Sequence, residues 1–216
     1  MAGSLFVKIC GIMSLPDAKC AIEAGADALG FIFYPRSPRF LDLEKASRLL
    51  RDLPRKMIKV GVFVDEPHEF LEHYLEELPL DYVQLHGHES PEYCSHVSSK
   101  VIKGLRIRDR NDIMSVGEYR ISYYLLDTFS NEEFGGTGKV FDWKIALEAK
   151  KVLASPIILS GGLTPENVAE AVEVVCPYGV DVSSGVEVSP GVKDHRKVRE
   201  FVNNAREARQ KSDKAD

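Results

Sequence analysis

Short apolar runs rich in Val, Ile, Leu and Phe recur along the chain: 5–9, 28–33, 57–64, 81–85, 100–105, 122–127, 156–160 and 179–183. Each is bounded by turn residues and is too short to be a helix, so each predicts a strand. Between them lie segments such as LPDAKCAIEAG, LDLEKASRLLRDL, PHEFLEHYLEEL, FDWKIALEAKKVL and TPENVAEAVEVV. These carry helix-type spacing and open near Asp, Ser, Thr or Pro, residues that cap or start a helix. Strand and helix alternate throughout. A repeat of about 20 to 30 residues holds one strand, one helix and two short connections, and strict alternation demands parallel strands with right-handed crossovers. Eight units predict a single-domain (β/α)8 barrel over residues 1–205. The polar tail 206–216 is expected to fray. A doubly wound open sheet is the alternative, but its dinucleotide-binding form would want GxGxxG after the first strand, and CGIMSL does not supply it.

In a barrel of this kind the chemistry belongs at the carboxyl ends of the strands. The first strand, VKIC, alternates Val7 and Ile9 with Lys8 and Cys10 and stops at Gly11, so the lysine and the thiol share one face. Most free cysteines are small buried hydrophobes, and Cys10 draws attention through its place at a strand end. Asp127 ends the sixth run, where desolvation would raise its pKa and suit it to donate a proton; capping of the following turn is the plainer role. His86 ends the fourth run in phase with Gln84, as an acid or base, a substrate contact or a satisfied polar group. The loop YPRSPRF carries Arg36 and Arg39 on a stretch stiffened by proline, and an arginine held so can fork onto a carboxylate. The seventh and eighth strands end in SGG and SSG, where Gly161, Gly162, Ser183, Ser184 and Gly185 can turn backbone N–H groups toward a phosphate. Asp181 and Lys8 both point into the barrel and are expected to pair across the first and eighth strands. Lys8 can also favour a Cys10 thiolate.

Composition narrows the classes. The chain has 216 residues, is 44% hydrophobic and carries a formal net charge of −5. That is the profile of a globular protein with an ample core, and an acidic balance argues against a nucleic-acid surface. No apolar run reaches membrane length and the amino terminus has no secretory pattern, so the expected place is the cytoplasm. Cys10, Cys20, Cys94 and Cys176 form no CxxC or Cys/His cluster, so they read as reduced thiols, with neither zinc nor a disulfide framework. A thiol and a carboxylic acid across a phosphate-holding mouth suit proton transfer beside a carbonyl or imine, the work of an isomerase.

Ordered motifs running nearly end to end carry a family likeness: VKICGI, GADALGFIFYPRSPRF, VGVFVDEP, VQLHGHE, LLDT, GGTGKVFDW, LSGGLTPENV and VDVSSGVEVSPGVKD. Through them the chain resembles the phosphoribosylanthranilate isomerases of tryptophan biosynthesis. The resemblance implies an Amadori rearrangement of N-(5-phosphoribosyl)anthranilate to 1-(2-carboxyphenylamino)-1-deoxyribulose 5-phosphate. It implies no cofactor and no metal, a small-molecule substrate as sole partner, no nucleic acid or membrane, and a monomer or homodimer. By the same likeness Asp127 is the general acid, Cys10 the general base, and Arg39 the holder of the anthranilate carboxylate. Gly161, Gly162, Ser183, Ser184 and Gly185 match the family's phosphate-loop motifs, and His86, from its place at a strand end, is expected to contact substrate. Met13 departs from the family, whose members usually carry a polar residue such as Thr or Lys there. The glycines of FSNEEFGGTGK resemble a mobile substrate cover. Competing readings are a metal-dependent epimerase, for which only His86 is placed, and a Schiff-base aldolase, for which Lys103 is the candidate lysine. A sugar-phosphate sensor would need neither Cys10 nor Asp127. Activity on the related histidine-pathway ribotide is not expected, because one acid/base position is a cysteine rather than a carboxylate.

Overall fold

The computed structural model describes residues 4–114, 116, 118–128 and 143–215, with side chains to residue 212 except at 128. Eight parallel strands close into a barrel in sequence order: β1 (Phe6–Ile9), β2 (Ala28–Ile32), β3 (Ile58–Phe63), β4 (Tyr82–Leu85), β5 (Lys100–Ile107), β6 (Tyr123–Thr128), β7 (Ile157–Leu159) and β8 (Gly179–Val182). Each coincides with one of the eight predicted runs. Helices α1 (Leu15–Glu23), α2 (Leu43–Arg51), α3 (His68–Glu77), α4 (Pro91–His96), α5 (Arg110–Met114), α6 (Trp143–Val152), α7 (Val168–Val175) and α8 (His195–Ala215) follow the strands in turn. A small antiparallel hairpin, β9 (Glu187–Ser189) and β10 (Val192–Lys193), lies between β8 and α8.

Helix starts follow local chemistry. Ser14, Asp42 and Ser90 accept the backbone N–H of Asp17, Lys45 and Tyr93, capping α1, α2 and α4. Alternation along the strands then sorts side chains into two apolar compartments. Val7, Ile9, Leu29, Phe31, Val83, Leu85, Leu126 and Val180 face the helices in the main core. Ala28, Val60, Ile102, Leu125 and Ile158 fill the barrel interior, with Phe6, Tyr82 and Tyr123 packed against them.

The carboxyl-terminal segment differs from the sequence expectation. The helix continues past residue 205: Ala208 is buried, Arg206 binds the Gly25 carbonyl and the Asp27 carboxylate (3.0 and 2.7 Å), and Arg209 reaches the Pro177 carbonyl at 3.2 Å. Its composition is polar because arginines tie one face to loops at the base of the barrel while alanines pack inward. Composition alone reads such a segment as solvated.

Candidate active site

Cys10 follows β1 directly, its backbone N–H on the Val182 carbonyl at 2.8 Å, so pairing with β8 fixes the thiol at the carboxyl end of the barrel. Only 5% of the residue is exposed. Room for the sulfur comes from Gly30 on the neighbouring strand: a Cβ there would stand 2.6 Å from Sγ. This glycine was not singled out from sequence, and a glycine inside a strand run was its only signal.

Below the thiol, Lys8 and Asp181 pair as expected, Nζ to Oδ1 at 2.7 Å, in direct register between β1 and β8. Ser160 takes the other carboxylate oxygen at 3.1 Å. Burial opposes the charge on Lys8, but Asp181, helped by Cys10, outweighs it and raises the lysine above its ordinary value. For Cys10 the balance runs the other way. Burial pushes the thiol up, and the cations Lys8 and Lys193 pull it down without cancelling that cost.

Arg39 approaches from the loop after β2, its Cδ lying against Gly11. One edge of the guanidinium forks onto Glu187, Nε to Oε1 at 2.8 Å and Nη2 to Oε2 at 2.6 Å. That leaves the Nη1 side outside the clamp. Lys193 shares Glu187, Nζ to Oε1 at 2.8 Å, and also donates to the Ser183 carbonyl at 3.1 Å. Burial raises Glu187, yet its bonds to Arg39 and Lys193 win and hold the carboxyl below its usual range. Lys193 has only a share of that carboxylate, so burial prevails and lowers it. Glu187 and Lys193 escaped the sequence reading. They sit in β9 and β10, past the last barrel strand, where charged residues look like an exposed turn.

On the opposite rim Asp127 lies at the end of β6 with its side chain 28% exposed. His86 Nε2 meets its Oδ2 at 3.2 Å, and the Gln84 amide nitrogen meets Nδ1 at 3.0 Å. With Gln84 donating, the neutral ring carries its proton on Nε2 and gives it to Asp127. Both ring nitrogens of His86 are therefore engaged, which favours the satisfied polar role among those open to it. Gly104 on β5 has no side chain to clash with the ring.

The turns after β7 and β8 meet. Gly161 and Gly162 hold positive φ of 76° and 68°, a region that glycine enters without strain. Gly185 packs on the Leu163 carbonyl, where no larger residue fits. Ser183 Oγ is buried beside Gly11 with no hydrogen-bond partner among the described residues, and Ser184 is exposed. Met13 packs its sulfur beneath Gly191 in the β9–β10 turn. The segment FSNEEFGGTGK, 129–139, with its glycines, lies outside the described residues.

Lys103 is corrected. It shares the outward face of β5 with Val101 and Ile107, and its ammonium donates to the carbonyls of Leu85 and Gly87 and to Glu89 Oε2, at 3.2, 2.8 and 2.8 Å. All three protons are spent on the outward face of the barrel, so it offers no free Schiff-base amine.

Comparison with known proteins bears on the fold and the family. The family model described as "N-(5'phosphoribosyl)anthranilate (PRA) isomerase" matches residues 7–204. The N-(5'-phosphoribosyl)anthranilate isomerase of Geotalea daltonii is 53% identical over 201 residues, covering 93% of this chain and 96% of the relative. A crystal structure of phosphoribosyl anthranilate isomerase from Thermotoga maritima superposes with a TM-score of 0.87 at 44% identity, over 93% of this chain and 98% of that one. A phosphoribosyl anthranilate isomerase in complex with reduced 1-(o-carboxyphenylamino)-1-deoxyribulose 5-phosphate gives a TM-score of 0.84 at 42% identity, with the same coverage. With a matching model across nearly all of the barrel and relatives at half identity, this chain belongs to the N-(5'-phosphoribosyl)anthranilate isomerase family.

Proposed function

We propose that the chain converts N-(5'-phosphoribosyl)anthranilate to 1-(2-carboxyphenylamino)-1-deoxyribulose 5-phosphate in tryptophan biosynthesis, with Asp127 as acid and Cys10 as base. One observation carries this reading: a thiol and a carboxyl group end β1 and β6 on the inward side of one mouth. Asp127 gives its proton to the ribose ring oxygen, the C1′–O bond breaks, and the nitrogen lone pair forms a protonated imine at C1′. The Cys10 thiolate removes the C2′ proton, and those electrons neutralise the imine as an enolamine. Protonation at C1′ and loss of the enol proton at C2′ give the ketone.

His86 contributes by orienting Asp127, with one carboxyl oxygen on its Nε2 and the other left for the transferred proton. Arg39, braced by Glu187, offers its Nη1 side to the anthranilate carboxylate. Gly161, Gly162, Ser184 and Gly185 present backbone N–H groups to the phosphate, and the unpartnered Ser183 hydroxyl supports that use of the two turns. The protein acts in the cytoplasm as a monomer or homodimer. The Thermotoga maritima enzyme has been described as dimeric, and among the described residues no helix is long and apolar enough to cross a membrane.

The test is loss of anthranilate fluorescence when freshly generated substrate meets the purified protein in the presence of a chelator, with the product identified by mass and reduction. Rapid loss and the keto product are expected. No loss with folded protein would leave a phosphate-binding barrel of another use.

A further inference from the structure

Five charged side chains crowd the Cys10 side of the mouth: Lys8, Asp181, Arg39, Glu187 and Lys193. Lys8 pairs with Asp181, while Arg39 and Lys193 divide Glu187 between them. Three cations thus face two carboxylates. The cluster lacks one negative charge, and it is buried enough for that to matter: the Lys8 and Lys193 side chains show 0% exposure and Glu187 4%. The missing charge has a natural place. Lys193 Nζ sits on the Ser183 carbonyl, and the preceding carbonyl, that of Val182, accepts the Cys10 N–H. Arg39 Cδ and Ser183 Oγ both lie against Gly11, the residue after the thiol.

We propose that Lys193 is a positioning residue for the base: held at the Ser183 carbonyl by Glu187, its ammonium sustains the Cys10 thiolate as the fifth charge's missing counterpart. Glu187 sets the strength of that effect by sharing itself with Arg39. The inference rests on Cys10 being the base. Lys8, which also bonds the thiol, does most to lower it, but Asp181, paired with Lys8 at 2.7 Å, pulls the other way, which leaves a share of the work to Lys193. The direction in which Lys193 moves the thiol, downward against burial, agrees.

The test reads the thiol itself. Iodoacetamide labelling of the Cys10 peptide is followed by mass spectrometry from pH 6 to 11, and the midpoint of the rate profile is compared between variants. Lys193→Met is expected to move the midpoint up by about one pH unit, hence about tenfold less thiolate at neutral pH, with kcat reduced in step and KM little changed. Lys193→Arg should restore most of both. Glu187→Gln removes a carboxylate and is expected to move the midpoint down, the opposite direction, while KM rises as Arg39 loses its brace. A merely structural role would send both variants the same way. Equal midpoints, or shifts of one sign, overturn the proposal. If Lys193→Met does not fold, the near-isosteric Glu187→Gln decides by its sign alone. Full turnover by Cys10→Ser would sink the base assignment, a failure distinct from an unmoved thiol midpoint in the Lys193 and Glu187 variants.

Discussion

The two rims of the mouth are prepared by different means. On the β1–β8 side a thiol is almost wholly buried among paired charges. On the β4–β6 side a carboxyl group with 28% of its side chain exposed accepts from His86, which Gln84 holds in turn, and Arg106 stands in register beside it on β5. A buried base needs cations nearby to offset the cost of its ionised form. The two rims thus differ in burial and in partners, a buried thiol among lysines against a partly exposed carboxyl group on an imidazole, and they carry the opposite duties proposed for Cys10 and Asp127.

Removing either duty should be most costly. Cys10→Ala and Asp127→Asn are each expected to lower kcat by about 10²- to 10⁴-fold, measured by anthranilate fluorescence with folding checked by circular dichroism; a variant above a tenth of wild-type kcat would remove that residue from its role. Arg39→Ala should act mainly on binding, raising KM by roughly ten- to a hundredfold for a lost charge-assisted contact. An unchanged KM would sever Arg39 from the anthranilate carboxylate. His86→Ala should be mildest, cutting kcat about three- to tenfold for one neutral hydrogen bond. A loss as large as that of Asp127→Asn would make His86 itself the proton donor.

Much of the architecture was written in short apolar runs and their spacing, because a buried parallel strand must be apolar and a crossover needs a helix's length. The Lys8–Asp181 pair was legible for the same reason, as two charges in phase with the lumen. Phase also exposes the weakness of Lys103: Val101, Leu105 and Ile107 share its face, so the outward direction was readable and only its place near the mouth made it look reactive. The short helices α4 and α5, six and five residues long, are below the length at which periodicity speaks. Glu187 and Lys193 were silent because partnership across a hairpin and a loop 148 residues apart leaves no local pattern. Gly30 was silent because its role is to be absent where a sulfur lies.

The most direct measurement is the pH profile of kcat/KM for wild type and Cys10→Asp, at saturating fluorescence sensitivity and with fresh substrate. Burial holds the thiol above its ordinary range, so the thiolate is the minor form at neutral pH and its fraction grows as pH rises toward that raised value. Because turnover needs the protonated acid together with the thiolate, the limb of the wild-type profile set by the raised Cys10 value is expected at alkaline pH, and the aspartate variant is expected to retain measurable turnover with that limb moved to lower pH. An alkaline limb identical in the two proteins would mean that the titrating base is some group other than Cys10.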